Sequence, residues 1–321
     1  MSTLPDVAAD AATKVADAAS ASAKVFLAIS SFRNDEQIAR LLNEVQSADS
    51  FFDTVLVVDS MGTQAIPDLI AERGWDNVRY HSYDQNLGSA GNLTERLRLA
   101  AEQGADYVYA INHDGMIDLA AVRFLVRHAA ATDRIGAAYS LRYVPTRDQY
   151  DLTGLQHLPL FFKGRQQLPE GDYIDVHWGS SNGALYATAP VRQGILPRAE
   201  LWMGWEDFYY GWELEHHGFR QILVLGARTV DSPEYEARGV PGRAIRISVK
   251  PAWYTYYRVR NLMLIARWSR SPALYASSVV KTIIEFALTV AFRKEKSFRL
   301  KLLLNGISDG LRHRTGKGKV P

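Results

Sequence analysis

The sequence predicts an α/β protein with a mostly parallel sheet and a helical appendage at the carboxyl end. Three observations carry that expectation. Short, continuously apolar runs of strand length recur, amphipathic helical stretches alternate with them, and two of the runs stop on a carboxylate, Asp59 and Asp114. Continuous runs indicate strands covered on both faces, and strand-helix-strand order implies parallel pairing through right-handed crossovers.

The first 23 residues, rich in Ala, Asp and Ser, lack the basic start and apolar core of a secretion signal and read as a tail. Residues 24–31 (Lys-Val-Phe-Leu-Ala-Ile-Ser-Ser) form the first expected strand. Asn34, Asp35 and Glu36 then charge and cap a helix with Ile38, Leu41, Leu42 and Val45 on one face. The second strand, 54–59, ends on Asp59 and leads through Ser60, Met61, Gly62 and Thr63 to a helix with Ile66, Leu69 and Ile70. A carboxylate there accepts hydrogen bonds from a ribose or a base, or simply caps the helix. Val78-Arg79-Tyr80-His81 is a short third strand. It runs into Asn86-Leu87-Gly88-Ser89-Ala90-Gly91-Asn92, whose glycines allow close backbone approach before a helix with Leu93, Leu97 and Ala100. The loop follows the third strand and lacks Gly-x-Gly-x-x-Gly spacing, so it is no dinucleotide fingerprint. The fourth strand, from Tyr107 through Ile111, stops on Asn112-His113-Asp114-Gly115. At the carboxyl edge of an open sheet Asp114 is placed to hold a divalent cation against a phosphate. Its alternative is to cap the helix that starts near Asp118.

With 321 residues and 47% apolar content, the chain can build one large domain with an appendage, or two domains, which excludes disorder throughout. No cysteine is present, so disulfides and thiolate zinc sites are excluded. A net charge of +2 is too small for nucleic-acid binding by the whole molecule.

Val57-Val58-Asp59-Ser60, the Asn86–Asn92 loop and Asn112-His113-Asp114 occur in the order and spacing of family 2 glycosyltransferases, and the chain most resembles their bacterial rhamnosyltransferase and galactofuranosyltransferase branches. The resemblance implies a GT-A fold: a mixed sheet flanked by helices, with 24–118 as the nucleotide-sugar half, 119–247 as the acceptor half and 248–321 as a helical, basic region. It implies that Ser30, Asp59, Asn86, Gly88, Asn92, Asn112, His113 and Asp114 bind the donor, with Asn112-His113-Asp114 standing where the family has D-x-D. Trp178-Gly179-Ser180-Ser181-Asn182-Gly183-Ala184-Leu185-Tyr186 resembles the acceptor-side strand, and Trp202-Met203-Gly204-Trp205-Glu206-Asp207-Phe208 the Glu-Asp motif. Two adjacent acids at a helix start can present one carboxylate to the cleft while the other meets the helix amides. Asp207 is the candidate general base, with Glu206 beside it. Trp205, Trp178, Gly183 and His217 are candidates for acceptor contact. The family places an Arg six residues after the base, where this chain has Glu213, and a metal-binding His after the next strand, where Asp231 could supply an oxygen ligand with Asp114, or could be a turn acid before Pro233.

Residues 248–261, ending Tyr257-Arg258-Val259-Arg260-Asn261, resemble a stretch of the same branches, with Arg258 and Arg260 as phosphate candidates or as a bridge to the following helices. Residues 273–292 are largely apolar but carry Lys281 and Glu285, which favours a helix packed on protein or lying in a membrane interface over one that spans. From 291 to 321, nine Lys or Arg stand against two acids among interleaved apolar residues, which suits an anionic lipid surface or a solvated tail.

These expectations combine into an inverting, Mn2+- or Mg2+-dependent transferase that moves a sugar from UDP or dTDP to a glycan or lipid-linked acceptor. It would work in the cytoplasm or at the inner face of the membrane, in bacterial surface polysaccharide synthesis. A relative that binds nucleotide sugar or glycan without turnover is the second reading. A nucleotide-dependent oxidoreductase is the third, and the missing first-strand glycines count against it.

Overall fold

A computed structural model describes residues 22–47, 51–158, 162–230 and 250–318, and the backbone of Tyr235–Arg238 and Ile245–Ser248. The predicted strands and helices of the first half appear in order: β1 (Val25–Ser31), α1 (Asp35–Ser47), β2 (Thr54–Ser60), α2 (Ala65–Arg73), β3 (Val78–Tyr83), α3 (Gly88–Glu102), β4 (Tyr107–Asn112) and α4 (Leu119–Ala130). The second half contains β5 (Ile135–Val144), β6 (Gln149–Asp151), β7 (Gly164–Arg165), β8 (Tyr173–Asp175), β9 (Ala184–Ala187), the short α5 (Ala189–Arg192), α6 (Glu206–His216) and β10 (Arg220–Val230). A small antiparallel pair, β11 (Tyr235–Arg238) and β12 (Ile245–Ser248), precedes three helices: α7 (Tyr254–Trp268), α8 (Pro272–Phe292) and α9 (Lys296–Leu311).

The main sheet runs β3-β2-β1-β4-β9-β5-β10-β8. Its first four strands are parallel, and β9 enters antiparallel between β4 and β5. The continuous apolar runs have the cause inferred from sequence, since alternate residues of each strand enter different cores. Leu27, Ile29, Val55 and Val57 pack with Ile38, Leu41 and Leu42 of α1 and Val122 and Leu125 of α4. Phe26, Ala28, Leu56 and Val58 pack with Leu93 and Leu97 of α3 on the opposite face.

Two local expectations are corrected. The acceptor-side strand shrinks to Ala184–Ala187, because residues 178–183 form a loop in which Gly183 has φ +82° and the Asn182 side chain accepts from the Asn112 amide at 3.0 Å. Asp118, not Asp114, caps α4, accepting from Ala120 and Ala121 at 2.9 and 3.2 Å. That leaves the exposed Asp114 with no hydrogen bond or ion pair among the described residues.

Candidate active site

From β1 the chain order runs outward through β2 and β3 on one side and resumes at β4 on the other. The connections leaving the carboxyl ends of β1 and β4 therefore diverge at a switch point, the usual ligand crevice of an open α/β sheet. A cleft of about 630 Å³ opens there, lined by Ser30 and Ser31 from β1, Asn112 and His113 from β4, and Asn86, Gly88, Ser89, Asn92 and Arg96 from the loop and helix after β3. Ser30 donates to the Asn112 side chain at 3.0 Å, and Asn34 meets His113 at 2.9 Å. Asn92 donates to the Val58 carbonyl at 2.8 Å, and the buried Arg96 donates to the carbonyls of Ala28 and Ile111 at 3.1 and 2.9 Å, which ties α3 under the strand ends. Gly88 is required: its φ is +68°, and a Cβ there would lie 2.1 Å from the Trp202 carbonyl oxygen.

Asp59, buried at the end of β2, does not cap α2. It accepts from Tyr80 at 3.2 Å, while its Oδ1 has no partner. Burial raises its pKa, Asp35 adds to the rise, and the neighbouring Ser31 and Tyr80 hydroxyls oppose it.

The acids on α6 are delivered by a turn in which Trp202, Gly204 and Trp205 all have positive φ, at +59°, +85° and +69°. Two of the three are not glycine, a strained arrangement that persists only where its surroundings hold it. Here Asn261 donates to the carbonyls of Leu201, Met203 and Gly204 at 2.8–3.0 Å, and Arg260 donates to Leu201 at 2.7 Å. Trp202 locks the same turn to the Asn86–Asn92 loop: its indole donates to the Asn86 carbonyl and its own carbonyl accepts from the Ala90 amide, both at 3.1 Å.

Glu206 and Asp207 then point to different places. Glu206 is buried in the wall of the cleft beside Ser89 and within the field of Arg96, with Oε2 unpaired. Asp207 is half-buried and accepts from the Phe208 amide at 2.8 Å. It lies in the field of Arg142 and close enough to Tyr139 and Tyr186 to raise their pKa. Tyr139 and Arg142 line a second, water-sized recess of about 40 Å³ with Asp151, Thr153, Trp178, Asn182 and Gly183. Arg142 is ion-paired to Asp151 there. Burial raises the pKa of both acids, and the proximity of Glu206 helps push Asp207 up to about 7. Loop 178–183 joins the recess to the strand end that carries Asp114: Trp178 packs where a Cβ on Gly211 of α6 would fall, and Asn182 lies against Gly115.

No protein-family model and no curated protein matches the sequence. Solved structures do. The mannosyltransferase PcManGT from Pyrobaculum calidifontis, in complex with GDP-Man and Mn2+, is similar with a TM-score of 0.55 at 14% identity, over 95% of this chain and 98% of that one. S. aureus TarS 1-349 in complex with UDP-GlcNAc is similar with a TM-score of 0.55 at 12% identity, over 91% of this chain and 81% of that one. The fold is that of a GT-A glycosyltransferase.

Within the GT-A frame, Ser30, Asn86, Gly88, Asn92, Asn112 and His113 all line the larger cleft, with Asp59 at the neighbouring strand end. Trp178 and Gly183 line the smaller recess. Other assignments from sequence fall elsewhere. Arg260 is fully buried with its nitrogens committed to Leu201, Gly316 and Asn261, and Arg258 pairs with Glu285 at 3.0 Å, so both brace the acid turn and the C-terminal helices in place of a phosphate. His217 is exposed and bonded to the Glu213 carbonyl in a separate depression beside Arg198. Trp205 caps α6 and donates to the Arg258 carbonyl at 3.0 Å, a packing role. Glu213, at the position of the family Arg, pairs with Arg198 at 3.6 Å. Asp231 lies outside the described residues.

Sequence reasoning overlooked Arg96, although a guanidinium inside the apolar stripe of Leu93, Leu97 and Ala100 was a visible anomaly. It also overlooked Arg142, whose strand was not marked, and Arg33, Trp253 and Lys317, which the fold brings to the cleft from distant segments.

The donor set suits a hard cation. Asp114 is an uncommitted carboxylate at the end of β4, beside an open cleft with room for phosphates, and Mg2+ or Mn2+ is bound by one or two carboxylates with substrate phosphates completing the shell. A different group, His157, His177 and Glu215, brings three ligand atoms within 4.8 Å of one another; none of these residues lines the cleft.

Proposed function

We propose that this chain is a divalent-cation-dependent, inverting glycosyltransferase that uses a UDP- or dTDP-sugar. The observation that carries the reading is the division of two adjacent acids between two spaces, Glu206 in the wall of the donor cleft and Asp207 beside the smaller recess. Asn86 in the cleft, with Asp59 at the neighbouring strand end, is the acceptor for the nucleoside, and Arg33 and Lys317 place cations at the cleft for the diphosphate. A cation held by Asp114 would neutralise the leaving diphosphate.

An acceptor hydroxyl in the recess meets Asp207. Its oxygen bonds to the anomeric carbon as the bond from that carbon to the diphosphate oxygen breaks, and its proton passes to the Asp207 carboxylate. A base with a pKa near 7 is matched to this transfer at neutral pH. One displacement with the base opposite the leaving group inverts the anomeric centre. The same reading places the protein in the cytoplasm, peripheral on the inner face of the membrane, acting on a glycan or lipid-linked acceptor.

A panel of UDP-, dTDP- and GDP-sugars, screened by thermal shift with and without Mn2+, is expected to give Mn2+-enhanced stabilisation by a UDP or dTDP donor. Product anomeric configuration then follows from NMR. Absence of nucleotide binding would overturn the transferase reading, retained configuration would overturn inversion, and binding with neither hydrolysis nor transfer would make the protein a nucleotide-sugar-binding relative.

A further inference from the structure

α8 is built inside out. It is long and apolar enough to cross a membrane, alone among the described helices in this, yet 28% of its apolar stretch is buried in protein. The residues it buries are mostly polar: Ser277, Ser278, Glu285 and Thr289, with Leu274. The large apolar residues it shows to solvent are Tyr275, Val279, Val280, Ile283, Phe286 and Val290. At about 100° per residue Tyr275, Val279, Ile283, Phe286 and Val290 fall within roughly 80° of one another and form a single stripe along the helix, with Val280 flanking it. A helix packed on a soluble protein shows the reverse pattern, and an exposed stripe of this length marks an interaction surface.

The buried polar face explains why the helix stays on the protein. Glu285 pairs with Arg258 of α7 at 3.0 Å and with Arg293 at 3.8 Å, and Ser278 donates to the Leu262 carbonyl at 3.1 Å. The Lys281 ammonium lies 4.7 Å from the centre of the Trp205 ring, next to the Glu206-Asp207 pair. Anchored along its length in this way, α8 cannot cross a bilayer; it can lie along one.

Charge identifies the occupant. Arg267 and Arg270 stand exposed just before α8, and Lys294 and Lys296 just after it. Further on, α9 exposes Phe298, Leu304 and Leu311 among Lys301 and Arg312, while Arg314 pairs with Asp309 at 3.0 Å. The acids of this stretch from 267 to 301 are the buried Glu285 and the exposed Glu295. An apolar stripe with cations at both ends fits acyl chains beneath anionic headgroups.

We propose that the outer face of α8 lies in the plane of an anionic bilayer, with Tyr275, Val279, Ile283, Phe286 and Val290 in the acyl boundary and the flanking Lys and Arg on the headgroups. This deepens the membrane part of the functional reading by naming the surface, and its test reads lipid, independent of sugar transfer. Through Lys281 and Trp205 the same helix fixes the cap of α6 relative to the membrane plane.

The test is flotation of the full chain with phosphatidylcholine vesicles, with and without phosphatidylglycerol. Wild type is expected to float with the anionic vesicles and lose this at high salt. Ile283→Asp/Phe286→Asp is expected to lower partitioning at least about tenfold, with an unchanged thermal midpoint because both side chains are already exposed. Ile283→Trp is expected to be quenched by shallowly brominated lipids more than by deeply brominated ones. Failure of wild type to bind, or equal binding by the double variant, would overturn the proposal. So would a wild-type dimer in sedimentation that the double variant dissolves, since a second copy would then cover the stripe. Preferential deep quenching would overturn the in-plane orientation.

Discussion

The cleft at the ends of β1 and β4 and the outer face of α8 break the same rule in opposite directions. Around the cleft, Asp59, Arg96 and Glu206 are withdrawn from water, and two of the three carry carboxylate oxygens with no partner. On α8, six large apolar side chains are handed to water while Glu285 and Thr289 go inside. Each arrangement costs stability, since buried charge and exposed hydrocarbon are both unfavourable. The sign of the liability indicates the ligand: orphaned polar atoms in a cavity suit a polar, charged substrate, and a bare apolar stripe suits lipid. The C-terminal helices link the two, because α7 supplies Asn261 and Arg260 to the acid turn and Arg258 to α8.

The largest effect expected from the cleft is on rate. Asp207→Asn keeps the hydrogen bond to the Phe208 amide but removes the proton acceptor, so kcat for transfer should fall by about 10²–10⁴-fold with donor affinity little changed. In wild type, log kcat/KM should rise with pH and level off above about 7, because the proposed base acts deprotonated and burial together with Glu206 holds the Asp207 pKa there in the free protein. Steady-state kinetics across pH checks both. A variant with unimpaired kcat would remove the distinction between the two acids.

Next is Arg96, which supports the cleft from below. Arg96→Met removes donors from the Ala28 and Ile111 carbonyls and strips Glu206 of its nearby positive charge. Leaving buried acceptors and a buried carboxylate uncompensated should cost about 3 kcal/mol in urea unfolding. A neutral result would mean that the cleft tolerates unpaired charge, which weakens the contrast with α8.

The first half of the fold was legible because its strands are covered on both faces: β1, β2 and β4 announce themselves as unbroken apolar runs, and the residues at their ends fall into one cleft. The Glu-Asp motif located α6, but the positive-φ turn that aims it depends on Asn261, more than fifty residues later, and no local pattern encodes that clamp. The same non-local packing misled the reading of Arg258 and Arg260, whose charge suggests phosphate while their burial commits them to carbonyls and Glu285. Loop 178–183 read as strand because the resemblance aligned it with an acceptor-side strand, whereas its Gly-Ser-Ser-Asn-Gly composition favours a loop: Gly179 packs on Tyr139 and Gly183 takes a positive φ. For α8, the sequence marked a helix broken by Lys281 and Glu285 but did not reveal that the charges face inward.

The smallest expected effect tests whether the cleft carries an energetic cost at all. The folded-state pKa of Asp207, about 7, lies above its ordinary value of 3.8. Between those values the folded protein binds more protons than the unfolded chain, so stability falls as pH rises through the window and the loss is complete above pH 7. Asn at this position carries no charge at any pH. Asp207→Asn should therefore be more stable than wild type at pH 8, by roughly 1–2 kcal/mol once partial solvent screening of the half-buried carboxylate is allowed for. The gain should vanish near pH 4, where the wild-type side chain is protonated in the folded state. Urea unfolding at the two pH values measures the difference. A gain confined to high pH, in the same variant that loses catalysis, would mean that Asp207 is held ready for a proton at the expense of the fold. Equal stability at both would mean that water reaches the carboxylate freely, and the raised pKa on which its role as base depends would go with it.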